Sequence, residues 1–265
     1  MKSRLGDIEV GFTKRGSGRP VVMVHGLAED RRSWALAQER LTDHRTFAYD
    51  LRGHGETTAG DGDGTLDQLA GDLARFLEAM TGPAACIGYS LGGTIVLALA
   101  AARPDLVPHA VVSGTSSVVG RAAAGFFEER IELLRADRAA FAAALREDTA
   151  AQIVTAGADL DAISARRLEA VGDGRGYVNA ARAMQALHRE PLTGALAGIR
   201  CPVDVIGGDA DRFCPRRAAD IILAELADGA YHEIADCGHL MTVDQPERYA
   251  LTLRAALERP ERTGG

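Results

Sequence analysis

Cysteine is scarce in this chain of 265 residues. Its four thiols, Cys86, Cys201, Cys214 and Cys237, include no C-x-x-C pair. That excludes zinc-ribbon and thioredoxin-like motifs. Four scattered cysteines make no disulfide framework, so a reducing cytoplasm is the expected compartment. An excess of basic residues is also lacking: 30 Lys and Arg stand against 37 Asp and Glu, a formal charge of −7. Phosphate backbones and anionic lipid surfaces both need concentrated cations, so neither nucleic acid nor membrane is an expected partner. No apolar core lies within Met1–Asp7, and no signal peptide is expected. The one long uncharged run, Ala79–Ala102, is broken by Gly82-Pro83 and by Gly88-Tyr89-Ser90-Leu91-Gly92-Gly93. Its periodicity changes midway, which fits a buried strand followed by a buried helix rather than a membrane span. Gly16-Ser17-Gly18 lacks the third glycine of a dinucleotide fingerprint, and Asp61-Gly62-Asp63-Gly64 lacks the distal ligands of a calcium loop. Neither cofactor nor metal is expected.

What is present is an ordinary globular composition, 46 % hydrophobic and 25 % charged, which excludes a largely disordered chain. Apolar runs of strand character recur at Pro20–His25, Arg45–Asp50, Ala85–Tyr89, His109–Ser113, Val203–Gly207 and Ala230–Ile234. Helix-like stretches separate them, near 31–41, 65–80, 91–102, 215–227 and 245–258. This alternation predicts an α/β fold, a mostly parallel doubly wound sheet covered by helices on both faces. Asp7–Arg15 alternates in polarity and suggests an antiparallel hairpin at the sheet's start. Between Ser116 and Ala197 the alternation stops. Helices are expected at Ala122–Ala136, Arg138–Glu147, Ile163–Val171 and Tyr177–His188. The expected organisation is a core of residues 1–115 and 198–265, with residues 116–197 as a helical cap inserted after the sixth strand. Such a cap would sit over the carboxyl ends of the strands, where open α/β sheets bind ligands.

The sharpest chemical signal is Gly88-Tyr89-Ser90-Leu91-Gly92, a G-x-S-x-G between an apolar strand and a helix-forming run. That context presents a serine on a tight strand-to-helix turn as a nucleophile. A serine nucleophile needs a base, and the base needs an orienting acid. Of the histidines after Ser90, His109 opens a strand, His188 falls on a cap helix and His232 lies within a strand. His239 follows Gly238 in a loop beyond the last strand, and is the expected base. The acid should end the preceding strand, where Gly208-Asp209-Ala210-Asp211 offers two carboxylates. Asp211, deeper in the turn, is favoured on spacing, with Asp209 as a turn-capping alternative. An oxyanion hole needs backbone N–H groups. Leu91, next to the nucleophile, and Leu27, after His25-Gly26, are the candidates. His25 is expected to bond loop backbone, with a second catalytic role for His25 or His54 as the less favoured alternative. Cys214 and Cys237 read as packing residues.

Together these segments carry a resemblance to the α/β-hydrolase superfamily over nearly the full length. The matching stretches are His25-Gly26-Leu27, Asp50-Leu51-Arg52-Gly53-His54-Gly55, Gly88–Gly93, Gly208–Asp211 with Pro215, and Gly238-His239. The resemblance implies Ser90, Asp211 and His239 as a catalytic triad. The run Gly176–Met184 is similar to small bacterial lactonases and esterases such as 3-oxoadipate enol-lactonases. Thr57 departs from the pattern, standing where many relatives carry Ser. The implied activity is hydrolysis of a carboxylic ester or lactone of a small molecule through an acyl-enzyme. Amide or C–C hydrolysis and perhydrolysis would use the same site. A lyase-type enzyme or a ligand receptor on the same scaffold is the alternative of another class. Substrate contacts are expected from cap residues such as Phe126, Phe127 and Met184; Trp34 reads most simply as a core aromatic, with the pocket wall as its alternative. The sequence leaves a homo-oligomer open.

Overall fold

The computed structural model describes residues 1–259; residues 260–265, read above as part of the core, lie outside them. Eight strands form one sheet in the order β1-β2-β4-β3-β5-β6-β7-β8. The hairpin comprises β1 (Lys2–Leu5) and β2 (Ile8–Arg15), paired antiparallel with Leu5 opposite Ile8. Asp7–Arg15 thus supplies its turn and second strand, and β2 runs antiparallel to β4 (His44–Tyr49). From β4 onward every pairing is parallel, through β3 (Arg19–Val24), β5 (Ala85–Tyr89), β6 (Ala110–Ser113), β7 (Val203–Gly208) and β8 (Gly229–Ile234).

Strand β3 shows why the central strands are apolar throughout. Val22 and Val24 face a core built with α2 (Leu66–Met80) and α3 (Leu91–Ala102). Val21 and Met23 face the other core, built with α1 (Ala35–Arg40) and α10 (Pro246–Leu257). Successive side chains of a strand point to opposite faces, and both faces are covered. The uncharged run at 79–102 resolves into the end of α2, β5 and α3, with α3 buried along most of its length. Among the described residues no helix is long and apolar enough to cross a membrane.

Between β6 and β7 lie α4 (Arg121–Ala136), α5 (Arg138–Ala151), α6 (Leu160–Val171) and α7 (Arg175–Ala186). Their starts are locally encoded. Asp137 accepts hydrogen bonds from the N–H groups of Ala139 and Ala140, and Asp159 from that of Ala162, satisfying donors that a helix start leaves free. The helices share a small core of their own, in which Phe141 meets Tyr177 edge to face at 5.0 Å. After β7 come α8 (Arg216–Leu223), β8 and the short α9 (Met241–Asp244), which leads into α10.

Candidate active site

Strand β5 is central in the sheet, and the chain turns sharply where it ends. Ser90 adopts φ 51° and ψ −120°, a conformation L residues rarely hold, immediately before α3. The flanking glycines make the turn possible. A Cβ on Gly88 would lie 2.3 Å from the Gly92 carbonyl oxygen, and one on Gly92 2.1 Å from that of Val24. Any larger residue would force the turn open. Thr115 steadies the turn by donating to the Ser90 carbonyl at 2.7 Å. Leu91 begins α3, so its N–H belongs to the helix start that has no intrahelical acceptor. The loop carrying Leu27 runs close by: a Cβ on Gly26 would meet the Ser90 Cβ at 3.2 Å.

His239 and Asp211 converge on this serine from the loops after β8 and β7. His239 Nε2 lies 3.1 Å from Ser90 Oγ, and its Nδ1 lies 2.8 Å from Asp211 Oδ2. A carboxylate can only accept, so Nδ1 carries the proton and Nε2 is free to accept from the serine hydroxyl. Burial alone would raise the Asp211 carboxyl. The facing His239 ring and the N–H groups of Cys214 and Phe213 outweigh it and hold the group below the usual carboxylate range. Asp209 instead accepts from the Cys237 N–H at 3.1 Å, as a turn residue does. Tyr89 fixes the histidine loop by donating its hydroxyl to the His239 carbonyl at 2.9 Å.

The other histidines are placed elsewhere. His25 Nε2 accepts from the Leu51 N–H at 2.9 Å, and its Nδ1 donates to the Gly26 carbonyl at 2.8 Å. His54 Nδ1 donates to the Arg52 carbonyl at 3.1 Å. His188 bonds the Val119 carbonyl just beyond α7. His109 and His232 both bond the buried Asp204, at 2.8 and 2.6 Å, and Arg259 joins them at 2.9 Å. Burial would raise the Asp204 carboxyl, but these three donors together pull it well below the carboxylate range.

Above Ser90 a cleft of about 420 Å³ opens between the strand-end loops and the four inserted helices. Phe126, Phe127 and Met184 line it, as the sequence suggests, together with Val118 and Val119. Trp34 does not. It is 1 % exposed and packs in the core beneath α10, 6.2 Å from the Tyr249 ring, because α1 and α10 close over it on the covered face of the sheet. Cys214 lines the cleft but is no thiolate: burial pushes its thiol well up, and that of Cys237 to about 12.

Several cleft residues escaped the sequence reading. Phe213, two residues past Asp211, sets its ring 5.4 Å from that of His239; adjacency to the acid was the signal available. Asp148, Gln152 and Arg167 come from α5, the residue after it, and α6. Asp244 is buried on α9, and its carboxylate takes the N–H groups of Gly238, Val154 and Thr155 at 2.8, 3.0 and 2.9 Å. It thereby ties the loop between α5 and α6 to the histidine loop. No local pattern marks that long-range contact.

A family model described as alpha/beta hydrolase fold matches residues 19–246. The chain is 28 % identical to pyrrolizixenacetamide deacetylase of Xenorhabdus hominickii, over 97 % of each chain. It is 26 % identical to a thermophilic esterase from Thermogutta terrifontis, with a TM-score of 0.82 and 97 % of each chain covered. The enol-lactonase from Burkholderia xenovorans LB400 superposes with a TM-score of 0.87, over 98 % of this chain and all of that one. At 24 % identity that last likeness speaks for the fold.

Proposed function

The chain belongs to the alpha/beta hydrolase fold family and is a hydrolase of it, and from that premise we propose that it cleaves a carboxylic ester or lactone through Ser90, His239 and Asp211. The observation that carries this reading is the hydrogen-bonded line from Ser90 Oγ through His239 to Asp211, opening on an apolar cleft. Ser90 Oγ attacks the substrate carbonyl carbon as its proton passes to His239 Nε2. Asp211 holds the ring in the required tautomer and stabilises the imidazolium. The N–H groups of Leu27 and Leu91 receive the charge that develops on the carbonyl oxygen. As the tetrahedral intermediate collapses, the C–O bond breaks and His239 gives its proton to the leaving alcohol. Water then enters, loses a proton to His239 and releases the acyl group, which regenerates Ser90. The cycle calls for no metal or cofactor.

In this reading the core is residues 1–115 and 198–265, and residues 116–197 are a cap that selects the substrate. All four cysteines are free, which agrees with a cytoplasmic location. The deacetylase relative favours amide cleavage as the second reading, since His239 could equally protonate a leaving amine. The deciding experiment pairs p-nitrophenyl ester turnover with covalent labelling by a fluorophosphonate. Turnover and labelling that both vanish in Ser90→Ala are expected. Labelling without turnover of any ester, lactone or amide would instead favour a receptor.

A further inference from the structure

On α6 the buried residues are Ser164, Arg167, Ala170 and Val171, with Ile163 half-buried beside them. A cation therefore occupies a position where helical periodicity calls for an apolar side chain. Arg167 is only 9 % exposed and lies in the wall of the cleft that holds Ser90 and His239. Its bonds all go to neutral oxygens. Nη1 donates to Thr149 Oγ1 at 2.9 Å and to Gln152 Oε1 at 3.0 Å, and Nη2 reaches the Leu27 carbonyl at 3.5 Å. Gln152 and Leu27 are themselves walls of the cleft, so the guanidinium head sits at its edge. Its Nε–H has no partner.

These contacts fix the guanidinium without giving it a hydrogen-bonded carboxylate. Among the described residues no carboxylate lies within 4.0 Å of it. Asp148 lines the same cleft, but Arg130 grips it through two bonds of 2.8 and 2.9 Å. Glu29 lines an adjoining cleft with Arg167 also at its wall; burial raises its carboxyl, an effect Arg167 offsets only in part. A second arginine, Arg212, stands exposed where the cleft opens. A buried cation without a paired anion is costly to keep, and here it is kept in the wall of the cleft that holds Ser90.

We propose that Arg167 binds a carboxylate on the acyl half of the substrate, so that the cleft selects anionic esters or lactones such as half-esters of dicarboxylic acids. This rests on the hydrolase reading above. In an ester the acyl half stays in the cleft through both steps whereas the alcohol leaves, so a buried anchor serves the acyl half; a lactone keeps its alcohol attached to the acyl chain, and any carboxylate it carries stays with it. Phe126, Phe127 and Met184 would pack its methylenes, and Arg212 would draw anions towards the opening.

The test compares kcat/KM for the p-nitrophenyl half-ester of glutaric acid with that for its neutral methyl ester. The wild type is expected to favour the charged substrate by at least about tenfold, the scale of a charge-assisted hydrogen bond. Arg167→Met should lower that ratio by about 10- to 100-fold, and Arg167→Lys by less. A wild-type ratio near or below one overturns the proposal and leaves the hydrolase reading standing. An equal loss on both esters in Arg167→Met also overturns it, since the side chain would then only brace the Leu27 loop. If neither ester turns over and Ser90 resists the fluorophosphonate, the hydrolase reading has failed. Calorimetric titration of the wild type with glutarate and with glutaramide then decides: tighter, salt-sensitive binding of glutarate supports the anion site, and equal or absent binding overturns it. The same titration decides should Arg167→Met fail to fold.

Discussion

At the residue scale, the chemistry rests on few atoms and each can be removed singly. Ser90→Ala is expected to abolish turnover while thermal unfolding is unchanged, because Ala tolerates what Ser tolerates at this turn. Removing one triad member elsewhere leaves a residual rate of about 10³–10⁴ over water. Near-normal kcat in the variant would refute the nucleophile. Asp211→Asn should cost far more than Asp209→Asn. An amide at position 211 can donate to Nδ1 and so favour the wrong tautomer, a change that costs about 10⁴ in kcat in a serine protease. Asp209 only accepts a backbone N–H, and its variant should stay within about tenfold, since one exposed hydrogen bond contributes about 1 kcal/mol. Equal losses in the two would place the acid elsewhere. The sequence separates these two aspartates only by their depth in the turn, whereas Ser90 and His239 stand out sharply. A strand–turn–helix with glycines on both sides of a serine has few other uses. Arg167 is hidden for the opposite reason. Helical periodicity puts it on the buried face of α6, but no local pattern sets it apart from Arg166, and its partners Thr149 and Gln152 lie on and just after α5.

At the scale of elements, strands and helices were legible because short continuous apolar runs alternate along the chain with longer helix-forming stretches, and only Asp7–Arg15 shows a two-residue period. The four inserted helices were legible for the same reason. How they attach was not, because the attachment is made by single polar side chains far apart in sequence. Asp244 is the example. Asp244→Ala would leave the N–H groups of Gly238, Val154 and Thr155 without their carboxylate, at a cost on the order of 3 kcal/mol. Urea unfolding should report that loss, and kcat should fall with it because Gly238 precedes His239. Asp244→Asn keeps one acceptor oxygen and should lose less. Unchanged stability in Asp244→Ala would mean that the two loops hold without this carboxylate. The insertion should also set substrate length. Ala123 of α4 lines the cleft, so Ala123→Leu should shorten the acyl chain accepted. The kcat/KM ratio of a short to a long ester should rise by about tenfold, the worth of one misfitted methylene group or more. A ratio that stays constant in folded protein removes the insertion from substrate choice.

At the scale of the whole molecule, buried charge and buried imidazole join the sheet to the loops at its edge. Arg52, 2 % exposed, takes Asp72 of α2 and Asp7 of the hairpin turn through two bonds each. It thus clamps the antiparallel edge of the sheet to the layer of helices, and explains an arginine that the motif Asp50–Gly55 shows without a reason. His25 and His54 lie behind the same motif, fully buried with ring centres 5.4 Å apart. Burial lowers the His25 ring to about 4 and the His54 ring to about 3, with His25 adding to the latter effect. Protonation of His25 would also set a new N–H against the Leu51 N–H that Nε2 now accepts. The consequence for stability has a definite sign. Unfolded histidine titrates near 6.5, so as the pH falls from about 6.5 to about 5 the unfolded chain takes up protons at both rings and the folded chain takes up almost none, His25 following only near 4. Stability therefore rises with pH across that window, by up to about two protons' worth of slope, and is lost as the pH falls. Urea unfolding at several pH values between 5 and 6.5, above the range where most carboxylates titrate, reads that slope. His54→Asn keeps a donor where Nδ1 now donates to the Arg52 carbonyl, but cannot titrate. It should fold and show a slope smaller by about one proton. A slope untouched by the substitution would mean that this ring already carries its proton in the folded protein, and that burial at the Asp50–Gly55 turn does not hold it neutral.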